Sequence, residues 1–195
     1  ALKSSLDYDP DHLEANRAMA DICRQRGDNG TLANVLRREL NQLPANPQKT
    51  GKLLELAQIA TELGDSRLLV ETLEEAQALA PDNKEVLLKL CDGYVATGKQ
   101  DKAIQTLEAL IQSETNGGKK RTKDAAQYLH RLANAYLSSG NAESGLKNLE
   151  AAYNMDISNI DVLVSLSKLY YERADYENAQ KLFRALLIQR FDTAG

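Results

Sequence analysis

The chain has 195 residues and a formal net charge of −4, and 43% of its residues are hydrophobic. That share is too high for a disordered chain, two cysteines are too few for a disulfide scaffold, and no run approaches the roughly 18 apolar residues of a membrane span. The acidic balance disfavours nucleic acid and anionic membranes, because both select basic surfaces. Only 5% of the residues are aromatic and none is Trp, so the core must consist mainly of Leu and Ala.

A turn signal recurs along the chain, in most cases a glycine followed by a polar residue. Gly27, Gly64, Gly98 and Gly140 belong to this series, and Ala174 takes the equivalent place. The distance is 34 residues from Gly64 to Gly98 and again from Gly140 to Ala174. Because glycine readily adopts the left-handed conformation that ends a helix, each position predicts a turn between two helices.

Residues of the same kind stand at fixed offsets from each turn. Positions 11, 8, 7 and 4 before the turn fall on one face of an α-helix, as do positions 5, 9 and 12 after it. Leucine dominates the large apolar positions, small residues predominate 7 before the turn, and Tyr94, Tyr136 and Tyr170 share the position 4 before it. The pattern predicts five helix–turn–helix units whose apolar faces are buried only when neighbouring units stack.

This spacing resembles that of the tetratricopeptide repeat (TPR) family. The second unit carries it most fully, as Leu53-x2-Leu56-Ala57-x2-Ala60-x3-Gly64 followed by Leu69, Leu73, Ala76 and Pro81. Four positions depart from the usual residue types, namely Asn16, Glu39, Gly145 and Ala174. The resemblance implies an all-α, right-handed α-α superhelix, or solenoid, of about five units. It also implies a concave inner face formed by the first helix of each unit.

The same alignment predicts boundaries. Residues 1–10 are expected to be the remnant of a preceding repeat, because Pro10 matches the spacing of Pro44 and Pro81. A flexible basic insertion is expected at 112–123. The array is expected over 11–191, in units near 13–46, 50–83, 84–117, 126–159 and 160–193. Ten helices are expected, at 11–26, 29–42, 48–63, 66–79, 83–97, 100–113, 122–139, 142–155, 159–173 and 176–190. Their expected N-caps are Asp28, Asp65, Asn83, Asn159 and Asp175.

The candidate binding surface is a second stripe on the first helices, mainly at positions 10, 6 and 3 before each turn. Apolar residues outside the packing positions predict a groove for an extended peptide or a partner helix. The alternative is that some of them only pack between neighbouring first helices. The candidate residues are Arg17, Asp21, Arg24, Leu54, Gln58, Leu88, Asp92, Val95, His130, Asn134, Leu137, Lys168 and Tyr171.

Other chemistry finds little support in the residues. Cys23 and Cys91 fall at core positions, and neither His12 nor His130 has a second ligand at metal spacing. No catalytic or phosphate-binding motif occurs, so we expect no enzyme, no cofactor and no metal site. A clamp for acidic C-terminal tails, as in some TPR proteins, is not expected, because Asp21 stands where such a site needs Asn.

The functional hypothesis is a protein–protein interaction scaffold, a fragment of a longer protein, that binds a peptide or helix of a partner in the groove. One alternative is a structural or regulatory repeat segment of a larger enzyme or assembly, and a weaker one is an RNA-binding helical repeat. We expect protein or peptide partners, no nucleic acid, no membrane insertion and a cytoplasmic location. Apolar residues on several faces of the helix near 176–190 also predict end-to-end self-association.

Overall fold

The computed structural model describes Asp9 and residues 12–192, with side chains up to Ile188. That part of the chain contains ten α-helices and no strand, which confirms the predicted all-α repeat. The helices are α1 (Leu13–Arg26), α2 (Asn29–Gln42), α3 (Pro47–Glu62), α4 (Ser66–Leu79), α5 (Lys84–Ala96), α6 (Gln100–Glu114), α7 (Lys123–Ser138), α8 (Ala142–Met155), α9 (Ile160–Glu172) and α10 (Tyr176–Asp192). The predicted remnant at 1–10 lies outside the described residues, except for Asp9.

Capping side chains explain where the helices begin. All five predicted N-caps accept a hydrogen bond from a backbone N–H in the first turn, as Asp65 does from Leu68 at 2.9 Å. Such a cap satisfies an N–H group that has no partner within the helix. The same role falls to four residues that the sequence pattern did not single out, His12, Asn46, Thr122 and Asn141.

The turns lie where the glycine series predicts them. Gly64 and Gly140 have φ of 69° and 81°, in the left-handed region. Ala174 has φ of 61°, and the N–H of Asp175 donates to the carbonyl of Tyr170 at 2.9 Å, which closes the helix in the same way. A residue with a Cβ pays roughly 1–2 kcal/mol for this conformation. Ala174 is therefore confirmed as the fifth turn.

The chain divides at Gly98 into two compact units, with α1–α5 in the first and α6–α10 in the second. In the first unit α1 pairs with α2 and α3 with α4, while α2–α3 and α4–α5 are the junctions between hairpins. In the second unit the hairpins are α7–α8 and α9–α10, and α6–α7 and α8–α9 are the junctions. The predicted leucine positions form the buried core of each unit, with Leu36, Leu53, Leu56, Leu73 and Leu90 in the first and Leu107, Leu149, Leu163 and Leu166 in the second.

The segment predicted as a basic insertion, 112–123, begins as helix and ordered turn. Helix α6 extends to Glu114, and Thr115 is buried. The Thr115 hydroxyl donates to the carbonyl of Ile111 at 2.7 Å and accepts from the N–H of Gly118 at 3.0 Å. The cations at 119–121 are exposed. The flexibility of this segment stays a prediction.

Candidate protein-binding surface

All candidate residues lie on α1, α3, α5, α7 or α9, which we call the first helices, and we call their shared face the first-helix stripe. None of these residues belongs to the buried core. The polar members and Tyr171 are exposed or, for His130, half-buried, and the aliphatic members are half-buried. The position 6 before the turn is exposed on every first helix, where it is occupied by Asp21, Gln58, Asp92, Asn134 and Lys168. Each unit thus presents polar side chains beside partly covered aliphatic ones.

Two arginines of α1 are already paired within the first unit. Arg24 donates from Nε to Glu55 of α3 at 2.7 Å and from Nη1 to Asp21 at 2.6 Å. The hydrogen bond with Glu55 raises the pKa of Arg24. Arg17 donates from Nε to Glu39 of α2 at 3.1 Å. These pairs neutralise the basic side chains that the sequence placed at one end of the groove, and the Arg24–Glu55 pair holds α1 beside α3.

Glu39 is a buried carboxylate that links three helices. Its side chain is 0% exposed and accepts hydrogen bonds from Arg17 of α1 and from Nζ of Lys52 of α3, at 2.9 Å. A buried charge is tolerated when it is paired and hydrogen-bonded, as here. Sequence reasoning recorded Glu39 only as an odd residue at a position held elsewhere by alanine. The available signal was the combination of this Glu with a cation 10 residues before the turn.

The half-buried aliphatic residues of the first unit belong to α3 and α5. Leu54, with Gly51 and Ala80 among its neighbours, lines a cleft of about 610 Å³ between α3, the end of α4 and the start of α5. Leu88 and Val95 are half-buried on α5. A cleft of this size admits side chains of a bound segment, since ligand pockets typically measure about 300–1,000 Å³.

In the second unit two candidate residues contact their own helical neighbours. Nε2 of His130 lies 2.8 Å from Oγ of Ser165, which joins α7 to α9, and burial lowers the pKa of His130. Leu137 packs against Gly145 of α8, where an added Cβ would stand 2.6 Å from Cδ2 of Leu137. Both contacts favour the packing alternative for these two residues. The exposed ring of Tyr171 makes an edge contact with a ring of α10 instead.

A repeated hydrogen bond escaped the sequence analysis. The tyrosine 4 residues before the turn donates to a glutamate of the preceding helix in three junctions, Tyr94 to Glu74 at 2.9 Å, Tyr136 to Glu108 at 3.0 Å and Tyr170 to Glu150 at 2.6 Å. Burial and the carboxylate raise the pKa of Tyr94 to about 12. Each glutamate stands 10 residues after its turn, a regularity that could have identified the pairs.

Neither metal ligands nor a membrane span is evident in the described residues. No three His, Cys, Asp or Glu side chains gather there as potential ligands of an ion. None of the helices in that part of the chain is long and apolar enough to cross a bilayer. Cys23 and Cys91 are buried free thiols, as their positions in the repeat predict.

Comparison with known proteins identifies the fold. No family model and no curated protein matches the chain. Among solved structures, MamA (41 to end) from Desulfovibrio magneticus RS-1 matches with a TM-score of 0.72 at 16% identity, over 94% of this chain and 97% of that one. The TPR-like repeats of a Podosopora anserina kinesin light chain match with a TM-score of 0.68 at 20% identity, over 95% of this chain and 97% of that one. The chain has the TPR fold.

A third structure, BtubC from P. vanneervenii, matches with a TM-score of 0.71 at 16% identity, over all of this chain and 87% of that one. Identities this low are informative about the fold alone. A TPR fold presents different side chains on a common framework, so binding has to be argued from the residues themselves. The TPR repeat therefore accounts for the positions of the first helices and leaves their partner to the chemistry of the stripe.

Proposed function

We propose that this chain is a TPR scaffold that binds a peptide or helix of a partner protein along the first-helix stripe. The observation that carries the proposal is the exposed position 6 before each turn, a polar side chain on all five first helices. Beside it lie half-buried aliphatic residues, of which Leu54 is reachable through its cleft. Polar groups that surround apolar contacts are typical of protein-binding surfaces.

The charge of the first unit favours a basic partner segment. At positions 13 and 6 before the turn, α1 carries Glu14 and Asp21 and α5 carries Glu85 and Asp92, and all four carboxylates are exposed. At the same positions α3 has only Gly51 and the neutral Gln58. Complementary charge steers association and fixes orientation. The proposed partner of this unit therefore combines Lys or Arg with small apolar residues.

Peptide selection followed by a matched charge reversal tests the proposal. Random displayed peptides are selected on the wild-type protein, and the affinity of each purified peptide is measured by fluorescence anisotropy. Asp92→Lys should weaken binding about fivefold or more, because exposed charges contribute up to about 1 kcal/mol each. The control is Asp101→Lys, the same change at an exposed aspartate of α6. Selected peptides without enrichment in Lys and Arg, or equal effects of the two variants, would overturn the proposal.

A further inference from the structure

An apolar groove lies between α9 and α10 of the last hairpin. It has a volume of about 410 Å³ and is lined by Ile160, Val164, Phe183, Leu186 and Leu187. Phe183 is 44% exposed and Leu187 is 59% exposed. Large apolar side chains are costly to leave in water when they form a contiguous patch, and such a patch marks an interaction surface.

The preceding hairpin shows what covers this face. Phe183 stands 9 residues after its turn, and Leu149 holds the same position in α8. Leu149 is 0% exposed because it packs in one cluster with Leu163 and Leu166 of α9. The equivalent residues of the first unit, Leu36 and Leu73, are also 0% exposed. The fold thus presents a helix-binding face on each hairpin, and the α9–α10 face is the one on which Phe183 remains accessible.

The covering helix has a defined apolar spacing. Helix α9 buries Leu163, Leu166 and Ser167, a large residue at i, a large residue at i+3 and a small residue at i+4. Helix α3 buries Leu53, Leu56 and Ala57 with the same spacing. A helix that fits the α9–α10 groove needs this pattern, because the small residue allows the two backbones to approach.

Arg184 adds a charge requirement at one point of the face. At a junction, the residue 10 after the turn meets the residue at i+7 of the covering helix, as Glu150 meets Tyr170. In α10 the former position is Arg184, which is exposed and has no hydrogen bond or ion pair with any side chain that the structure describes. An arginine at this position binds a carboxylate elsewhere in the chain, since Arg37 donates to Glu75 at 2.8 Å.

We propose that the groove between α9 and α10 binds an amphipathic α-helix of a partner protein. This helix carries large apolar residues at i and i+3, a small residue at i+4 and an acidic residue at i+7, where it pairs with Arg184. The first helices of a second copy do not meet the requirement, because their i+7 residues are Cys23, Ala60, Tyr94, Tyr136 and Tyr170. The inference is independent of the proposed function of the first-helix stripe.

A charge-swap experiment with designed peptides tests the groove. The probe is a fluorescein-labelled peptide of residues 158–174 with Tyr170→Glu, and its control carries Tyr170→Lys. Wild-type protein should bind the Glu peptide about fivefold more tightly than the Lys peptide, the upper range for an exposed ion pair. Arg184→Glu should reverse this preference. That reversal separates the groove from the native seat of α9, which carries Glu150 at the same position.

Apolar variants supply the second arm. Phe183→Glu should weaken binding of the Glu peptide at least tenfold, about 1.4 kcal/mol, because it places a charge in the apolar floor. The matched control is Leu63→Glu, which replaces a leucine that is 46% exposed at the end of α3. Circular dichroism verifies that both variants are folded.

Three results would overturn the proposal. The first is the failure of both peptides to bind, and the second is binding that Phe183→Glu leaves unchanged. The third is a wild-type dimer in analytical ultracentrifugation that Phe183→Glu converts to a monomer and that the Glu peptide does not dissociate. In that case a second copy covers the groove.

Discussion

The α2–α3 junction and the α8–α9 junction occupy equivalent places in the repeat but differ in their chemistry. At the first junction Glu39 is buried between Arg17 and Lys52. At the second, Ala152 takes the place of Glu39 and packs in an apolar cluster with Val162. Both positions are 0% exposed, so the same site in the fold accepts either a paired charge or a methyl group.

The two junctions differ again at the position 10 residues after the turn. Glu150 of α8 accepts the hydroxyl hydrogen bond of Tyr170, whereas Arg37 of α2 faces a first helix with Ala60 at the tyrosine position. Arg37 instead reaches α4, where it pairs with Glu75. The repeat geometry thus determines which positions meet across a junction. The residue types then decide whether the contact is ionic, as at α2–α3, or a single hydrogen bond on an apolar face, as at α8–α9.

Removal of the Glu39 charge should give the largest change in this comparison. We expect Glu39→Gln to lower the free energy of unfolding by about 2 kcal/mol, because hydrogen bonds to charged groups contribute about 1.5–3 kcal/mol. The measurement is urea unfolding followed by circular dichroism. The effect should persist at about 1 M NaCl, since buried pairs are screened little.

Glu71→Gln is the control for this change, because Glu71 pairs with Arg67 on the exposed face of α4. Its cost should be about 0.3–0.5 kcal/mol and should vanish at high salt. Equal costs for the two variants would show that the buried network does not stabilise the α2–α3 junction.

The hydrogen bond at the α8–α9 junction should give a smaller change. Tyr170→Phe removes the donor to Glu150 and should cost about 1 kcal/mol near neutral pH. Burial, and then the carboxylate of Glu150, raises the pKa of Tyr170. The neutral phenol is therefore favoured in the folded state, so its contribution is complete below about pH 10 and is lost as the pH rises above that value.

Unfolding curves of wild type and Tyr170→Phe should accordingly converge as the pH is raised beyond about 10. Tyr176→Phe serves as the control, since Tyr176 is 61% exposed. A constant difference between wild type and Tyr170→Phe across this range would contradict the assignment.

The smallest expected change concerns the turns of the second unit. Helices α7 and α8 are joined through Gly140, and α9 and α10 through Ala174, both with positive φ. Ala174→Gly should stabilise the chain by about 0.5 kcal/mol, because relief of roughly 1–2 kcal/mol of left-handed strain exceeds the 0.5–1 kcal/mol entropic cost of glycine. The melting temperature of this variant should rise, and that of Gly140→Ala should fall. A lower melting temperature for Ala174→Gly would show that the alanine side chain contributes contacts that offset the strain.

The candidate site was only partly predictable from the repeat pattern. The pattern placed the first-helix stripe on the correct helices and kept its residues out of the core, because helical periodicity alone decides which residues share a face. It did not reveal that Leu137 packs against Gly145 or that His130 contacts Ser165. Those contacts depend on the side chain that stands opposite on a neighbouring helix.

The sequence by itself determined the helices, their caps and their turns, since Asp65 and Gly64, for example, act on the backbone within one or two turns of helix. It also determined the leucine core, through offsets that repeat. Only the tertiary structure decided that Glu39 lies between two cations and that Phe183 stays accessible beside Arg184. The physical reason is range: caps and periodicity are local, whereas burial and pairing depend on which helix covers which face.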